Sequence, residues 1–252
     1  MQPEGREVRK MFAEVAPRYD FLNHTLSGGV DALWRRKTVA VALEGMALDG
    51  MPLEGMGDKA SALRVLDVCS GTGDLAFSFA RAGCRVFGGD FCFEMLERGE
   101  NKRGMRKGGE RVRFFAADAQ RLPFAPDTFD CATVAFGIRN VQDPVQGLRD
   151  MARVVRPGGK VLVLEFSKPR TPVLGPLYLW YFRKILPKIG ALLSPRSRGS
   201  DAYKYLPESV MKFPEREAFI ALMGEAGLER SRFKLLSFGI ACLYWGFVPE
   251  SK

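Results

Sequence analysis

The chain has 252 residues, 46% apolar and 27% charged, with a formal net charge of +9 at pH 7. That length can bury a large core in one domain, and that balance belongs to a globular protein. No apolar run approaches the ~20 residues of a membrane span, and the start MQPEGREVRKMF lacks the apolar stretch of a secretory leader, so a cytoplasmic protein is expected.

Residues 1–45 are predicted to form a helical N-terminal cap, with Met11, Phe12, Val15, Tyr19 and Leu22 near helical spacing. Residues 49–61 read as a linker. Strands and helices then alternate through a cofactor-binding core at 62–167. RVLDVCSG (64–71) is a buried strand and Asp74 to Arg81 a helix. RVFGGDF (85–91) is a second strand, followed by a helix from Phe93 to about Lys102. VRFFAADA (112–119) is a third strand. FDCATVAFG (129–137) is a fourth, with a helix from Pro144 to Val155. Arg156-Pro157-Gly158-Gly159 reads as a turn and KVLVLEFS (160–167) as a fifth strand. Residues 168–212 form a basic, apolar insertion. A helix over 213–228 precedes two strands, ERSRFKLLSFG and IACLYWGFVP, that must pair antiparallel because only a turn separates them. The predicted fold class is α/β: one doubly wound, Rossmann-like domain over 1–252, with a seven-stranded, mostly parallel sheet and an antiparallel last pair. The five cysteines (Cys69, Cys84, Cys92, Cys131, Cys242) form no CxxC pair and His24 is the only histidine. Reduced core thiols and no metal are expected.

The first strand-to-helix turn reads Asp67-Val68-Cys69-Ser70-Gly71-Thr72-Gly73-Asp74. In an open α/β sheet a ligand sits beyond the carboxyl ends of the strands, where strand order reverses. Gly71 and Gly73, with Thr72 between them, let the backbone turn sharply against a ligand. They also satisfy the dinucleotide pattern G-x-G-x-x-G/A, so they do not choose a cofactor. The acids choose. Asp74 opens the helix where a pyrophosphate would sit, putting like charges together. S-adenosylmethionine has no phosphate and carries a sulfonium and an amino group, which acids such as Asp67 suit. Asp90 ends the second strand where a carboxylate accepts from ribose hydroxyls, as either cofactor requires. Asp118-Ala119, at the end of the third strand, decides: the carboxylate can accept from an adenine amino group, beside the apolar Leu122-Pro123-Phe124. S-adenosylmethionine is the predicted cofactor, and the fold is expected to be the class I methyltransferase form of the Rossmann plan.

Tyr19-Asp20-Phe21-Leu22-Asn23-His24-Thr25-Leu26-Ser27, continuing to Trp34-Arg35-Arg36, resembles the amino-terminal signature of the quinone-biosynthesis C-methyltransferases that make menaquinone and ubiquinone. The stretch from Arg153 through Arg156-Pro157-Gly158-Gly159-Lys160 to Leu164-Glu165-Phe166-Ser167-Lys168-Pro169 resembles the second signature. Phe136-Gly137-Ile138-Arg139-Asn140 and Asp201-Ala202-Tyr203-Lys204-Tyr205-Leu206-Pro207-Glu208-Ser209-Val210 are similar to that family as well. The likeness covers almost the whole chain. Asp31, Leu22 and Ala135 depart from it, standing where a histidine, a methionine and a pocket-lining serine are usual.

The resemblance implies methylation of a ring carbon of a demethylated isoprenoid quinol, foremost demethylmenaquinol to menaquinol, with the benzoquinol step of ubiquinone synthesis also in scope. Such a carbon becomes nucleophilic when a ring hydroxyl, of pKa about 10 by analogy with tyrosine, loses its proton. Arg139, after the fourth strand, is expected to stabilise the phenolate; a structural ion pair is its competing reading. Tyr19, Asp20 and Asn23 are expected to close over the pocket, with His24 or Asp20 as proton acceptor.

The positive charge calls for an anionic partner. From Phe166 to Ser200 stand Lys168, Arg170, Arg183, Lys184, Lys188, Arg196 and Arg198 and no acid, interleaved with residues such as Leu177, Trp180 and Ile185. Such a segment suits peripheral association with an anionic membrane, where an isoprenoid tail resides, or packs as a helix with a solvated charged face. No nucleic acid is expected as a partner, and a homodimer is left open. The alternative functions are an RNA methyltransferase and a non-catalytic adenosine-ligand binding protein. Against the first, Phe136-Gly137-Ile138-Arg139 stands where amino-group methylases carry N/D-P-P-Y/F.

Overall fold

Apolar residues fill β1 (Arg64–Val68), β4 (Phe129–Ala135) and most of β5 (Val155–Phe166), which are buried at nearly every position. Strands of this kind are stable only when both sheet faces are covered. The computed structural model, which describes residues 5–16, 20, 27–44, 63–172, 174–181, 184 and 199–250, covers them with helices. β2 is Arg85–Asp90, β3 Val112–Ala116, β6 Glu229–Leu236 and β7 Ala241–Phe247. The sheet order is β3-β2-β1-β4-β5-β7-β6. β1 to β5 pair in parallel, while β7 runs antiparallel to both β5 and β6. Strand order therefore reverses between β1 and β4, which places a ligand crevice at their carboxyl ends.

The helices are α1 (Gly5–Val15), α2 (Asp31–Leu43), α3 (Asp74–Arg81), α4 (Phe93–Arg103), α5 (Pro144–Val154), α6 (Leu174–Trp180), α7 (Gly199–Lys212) and α8 (Glu217–Glu225). Alternation along the strands divides the core in two. Val161 and Val163 of β5 pack with Leu148 and Met151 of α5 and Phe219 of α8. Leu162 and Leu164 face the other way, onto Trp34 of α2 and Phe77 and Phe79 of α3. Each such side chain contributes roughly 1.5–3 kcal/mol on burial. α5 starts where the sequence says it should: Asp143 accepts from Gln146 N at 3.0 Å, and Pro144 holds the first helical position.

The first, second and fourth strands end one to three residues earlier than expected, and three other boundaries differ for a visible reason. β3 ends at Ala116, because Asp118 turns the chain by accepting from Gln120 N at 2.9 Å. Arg156-Pro157-Gly158-Gly159 is a bulge inside β5: the register passes from Phe129↔Val155 to Cys131↔Lys160. The helix predicted over 213–228 covers only Glu217–Glu225, because Arg216 has φ 58 and cannot join it. The linker 49–61 lies outside the described residues. All five cysteines are free, and burial pushes the Cys84 and Cys92 thiols up to about 12.

Candidate active site

β1 delivers its carboxyl end into the turn 69–73, which enters α3 through Gly73 at φ +85. A side chain there would be strained, and its Cβ would fall 2.5 Å from Phe114 Cζ. Gly137, after β4, is required by close approach: a Cβ would lie 2.3 Å from Cys69 Cβ. Gly137 lets the turns after β1 and β4 meet, and Gly73 lets the first turn pass over Phe114.

Asp90, at the end of β2, clamps the first turn. Its Oδ2 accepts from Gly71 N and its Oδ1 from Cys92 N, each at 2.8 Å. An acceptor position remains for a ribose hydroxyl. Burial pushes this carboxyl up, against the pull of the Cys92, Gly71 and Phe91 amides. Asp67 is 1% exposed; Thr133 Oγ1 donates to its Oδ1 at 3.2 Å. Its Oδ2 is buried with no hydrogen-bond partner among the described residues. Burial pushes Asp67 to about 7, opposed chiefly by the Thr133 hydroxyl. What this group lacks is a cation.

Asp118 is exposed at the rim and Ala119 is buried beside it. Burial first, and then the charges of Asp90, Asp67, Asp118 and Glu165, push the Cys69 thiol up. Carboxylates from β1, β2, β5 and the loop after β3 thus act electrostatically on one turn. This donor set fits S-adenosylmethionine: an orphaned buried acid for its positive charge, a half-used carboxylate for the ribose, and a rim acid beside an apolar floor for the adenine.

The N-terminal segment reaches the same turn. Thr72 Oγ1 donates to Asp20 Oδ1. Lys102 of α4 bonds Asp20 Oδ2 at 2.8 Å, Thr72 Oγ1 at 2.9 Å and Asp74 Oδ1 at 3.1 Å. Arg35 pairs with Asp31 and lies 3.5 Å from Asp74 Oδ2. Asp74 is therefore not the bare anion on which the sequence argument against a pyrophosphate relied; two bases neutralise it. Asp20, expected to close the pocket or take a proton, has both oxygens engaged. Asp31, the departure from the usual histidine, accepts from Ser27 Oγ at 2.8 Å and from Arg35, so it ties α2 into this network. Ala135 ends β4 half-buried. Tyr19, Leu22, Asn23 and His24 lie outside the described residues.

Arg139, 8% exposed, donates through Nη1 to Glu165 Oε1 at 2.7 Å and to Phe136 O. Its guanidinium sits 5.6 Å from the Phe166 ring centre. The ion pair that competed with the phenolate role is present. It does not consume the guanidinium, whose buried Nε has no partner among the described residues. Phe166 packs on Phe136 at 4.5 Å between centroids, and Trp34 stands 6.0 Å from Phe136, making an aromatic wall. From α7, Tyr205 Oη donates to Asn140 Oδ1 at 3.0 Å.

Sequence reasoning gave no role to Lys102, Glu165 or Tyr205. Glu165 had a signal: it is a lone acid in the buried run KVLVLEF, where an unpaired charge is rare. Lys102 had none, since a base at a helix end is commonplace.

A model of the ubiE/COQ5 methyltransferase family matches residues 1–248. The chain is 43% identical over 249 residues to the ubiquinone/menaquinone biosynthesis C-methyltransferase UbiE of Geotalea daltonii, covering 96% of this chain and 97% of that one. It is 42% identical over 247 residues to the demethylmenaquinone methyltransferase of Deinococcus radiodurans, covering 97% and 94%. In shape it resembles a SAM-dependent methyltransferase of Thermotoga maritima, with a TM-score of 0.60 at 18% identity over 94% of this chain and 99% of that one. At that identity the likeness shows the fold alone: the class I methyltransferase fold expected from the sequence.

Proposed function

Because the chain belongs to the ubiE/COQ5 family of S-adenosylmethionine-dependent methyltransferases, we propose that it methylates a ring carbon of demethylmenaquinol to give menaquinol. The observation that carries this reading is the meeting of two half-sites at the switch point. An acid-lined turn after β1, suited to a cationic cofactor, meets the turn after β4, which carries Phe136 and the buried Arg139 guanidinium. Against nucleic-acid methylation, neither relative described above bears a nucleic-acid name.

Bound S-adenosylmethionine supplies an electrophilic methyl group. Asp90 would hold the ribose, Asp67 would face the positive charge, and Asp118 with Ala119 would border the adenine. Phe136 and Phe166, both half-buried and backed by the buried Trp34, would present flat apolar surface to an aromatic ring and keep water from it. Arg139 Nε donates to the ring oxygen as it becomes a phenolate, a charge that develops only during reaction. Asp20 holds the N-terminal segment to the cofactor turn through Thr72 and Lys102, and Tyr19 and Asn23 are its neighbours in the sequence.

The proposal includes peripheral binding to an anionic membrane on its cytoplasmic face. Trp180 is 56% exposed and Lys184 is exposed beyond it. Lys168 and Arg170 are already 3.9 and 3.1 Å from Glu215, an acid from outside the basic segment, and contribute less. Among the described residues no helix is long and apolar enough to cross a membrane. Redox state tests the chemistry. Only the quinol has a hydroxyl proton to lose, so turnover should require a reductant. Equal rates with the oxidised quinone, its reduction excluded, would overturn the carbon-nucleophile mechanism.

A further inference from the structure

Glu165 is 1% exposed; the Arg139 side chain and the Phe166 and Arg139 backbone amides lower the cost of its charge, and its two oxygens are unequally engaged. Its Oε1 accepts from Arg139 Nη1 at 2.7 Å and from Phe166 N at 2.8 Å. Its Oε2 is buried and has no hydrogen-bond partner among the described residues. A buried carboxylate oxygen is costly without a donor, so this one suits a donor that arrives with the substrate. Arg139 Nε, the other orphan of the pair, is an unused donor. An unused acceptor and an unused donor on one ion pair match a hydroxyl that gives up a proton and is left with a negative charge. The pair lies at the carboxyl ends of β4 and β5, next to the aromatic wall.

We infer that Glu165 is the base for the quinol, accepting the ring hydroxyl proton on Oε2 while Arg139 holds the oxygen. This rests on the proposed quinol reading. The O–H bond breaks and its proton passes to Oε2. The electron pair left on oxygen is delocalised to the ring carbon, which forms the new bond to the methyl group as the methyl–sulfur bond breaks with its pair on sulfur. The ring proton then leaves to solvent, and Glu165 returns its proton to the oxygen. The carboxylate is regenerated, and one proton is released per turnover. The ionisable groups facing Glu165 are Arg139, the Tyr205 phenol from α7 and the Cys69 thiol from the β1 turn. Burial pushes Glu165 up from the usual carboxylate range, which suits a base, and Arg139 pulls it back.

The test is Glu165→Gln, whose amide oxygen can still accept from Arg139 and Phe166 N. kcat on demethylmenaquinol should fall about 10²–10⁴-fold, with cofactor affinity unchanged by calorimetry. A non-reactive naphthol should bind the cofactor-free variant about tenfold more weakly than wild type, because an NH₂ replaces the acceptor. A ring-halogenated quinol already ionised at the assay pH should restore most of the rate, as a merely structural role would not allow. Undiminished kcat, or no rescue by the ionised quinol in a variant that binds cofactor normally, would overturn the assignment. If the variant does not fold, wild type decides: at saturating cofactor the acid limb of its kcat profile should vanish with the ionised quinol, and an unchanged limb overturns the assignment. A wild type inert on every quinol instead sinks the function reading, and this inference with it.

Discussion

Asp67→Asn probes the cofactor half of the site through stability alone. The folded Asp67 is pushed from 3.8 to about 7 by burial, with the Thr133 hydroxyl opposing. An acid whose folded pKa is raised binds its proton more tightly in the folded than in the unfolded state. Below about pH 4 both states are protonated and the group contributes nothing. As pH rises towards 7 the unfolded state ionises first, and the folded state loses stability. Above 7 both are ionised and the penalty is constant. Three units at 1.36 kcal/mol each set a ceiling of roughly 4 kcal/mol. Asparagine keeps an acceptor for Thr133 and does not ionise. Urea unfolding of cofactor-free wild type and variant should therefore show the variant gaining on wild type between about pH 4 and 7, with the gap levelling off above. The same linkage makes cofactor binding favour the ionised acid, so wild-type affinity should rise towards pH 7 with proton release, and the variant should lose both. A stability difference independent of pH would refute the reasoning, because Asp67 would then titrate alike folded and unfolded.

Asp90→Ala should weaken S-adenosylmethionine binding by about 1.5–3 kcal/mol in calorimetry, since it removes the ribose acceptor and frees Gly71 N and Cys92 N together. Arg139→Ala should lower kcat about 10²–10³-fold with cofactor affinity nearly unchanged. It should also destabilise the protein by roughly 3–5 kcal/mol in denaturant, because it leaves Glu165 charged, buried and alone. Arg139→Lys should not fully rescue the rate, since a point charge cannot reproduce the planar fork. Replacing Arg183, Lys184 and Lys188 with Gln should spare turnover on a short-tailed quinol and weaken binding to anionic liposomes by about 1 kcal/mol per charge; unchanged liposome binding would return the segment to a packing role.

The sheet was legible because its strands are buried on both faces and separated by periodic helices, so strand number, order of use and the antiparallel last pair could be read from pattern. The ends were not. Asp118 reads as part of a strand until its side chain is seen capping Gln120 N, and Arg156-Pro157-Gly158-Gly159 has the composition of a turn whether it ends a strand or bulges it. At the site, Asp67 and Asp90 were open to proposal because they stand at or next to the carboxyl ends of β1 and β2, and Asp118 because it follows β3 by two residues, where topology gives the address. Pairings across the chain carry no local signal. Nothing in the spacing of Lys102 and Asp20, or of Arg139 and Glu165, announces contacts over 82 and 26 residues. The assumption that Asp74 is a bare charge failed for that reason.

The central claim, transfer of a methyl group to a quinol ring carbon, is tested most directly by where the label goes. Purified protein would be incubated anaerobically with methyl-labelled S-adenosylmethionine and a mixture of demethylmenaquinol and bulk RNA, and the products resolved by mass and carbon NMR. The account predicts label on a ring carbon of the naphthoquinol and none in RNA. Label on the quinol oxygen, label in RNA, or an unlabelled quinol with protein that binds the cofactor would contradict it.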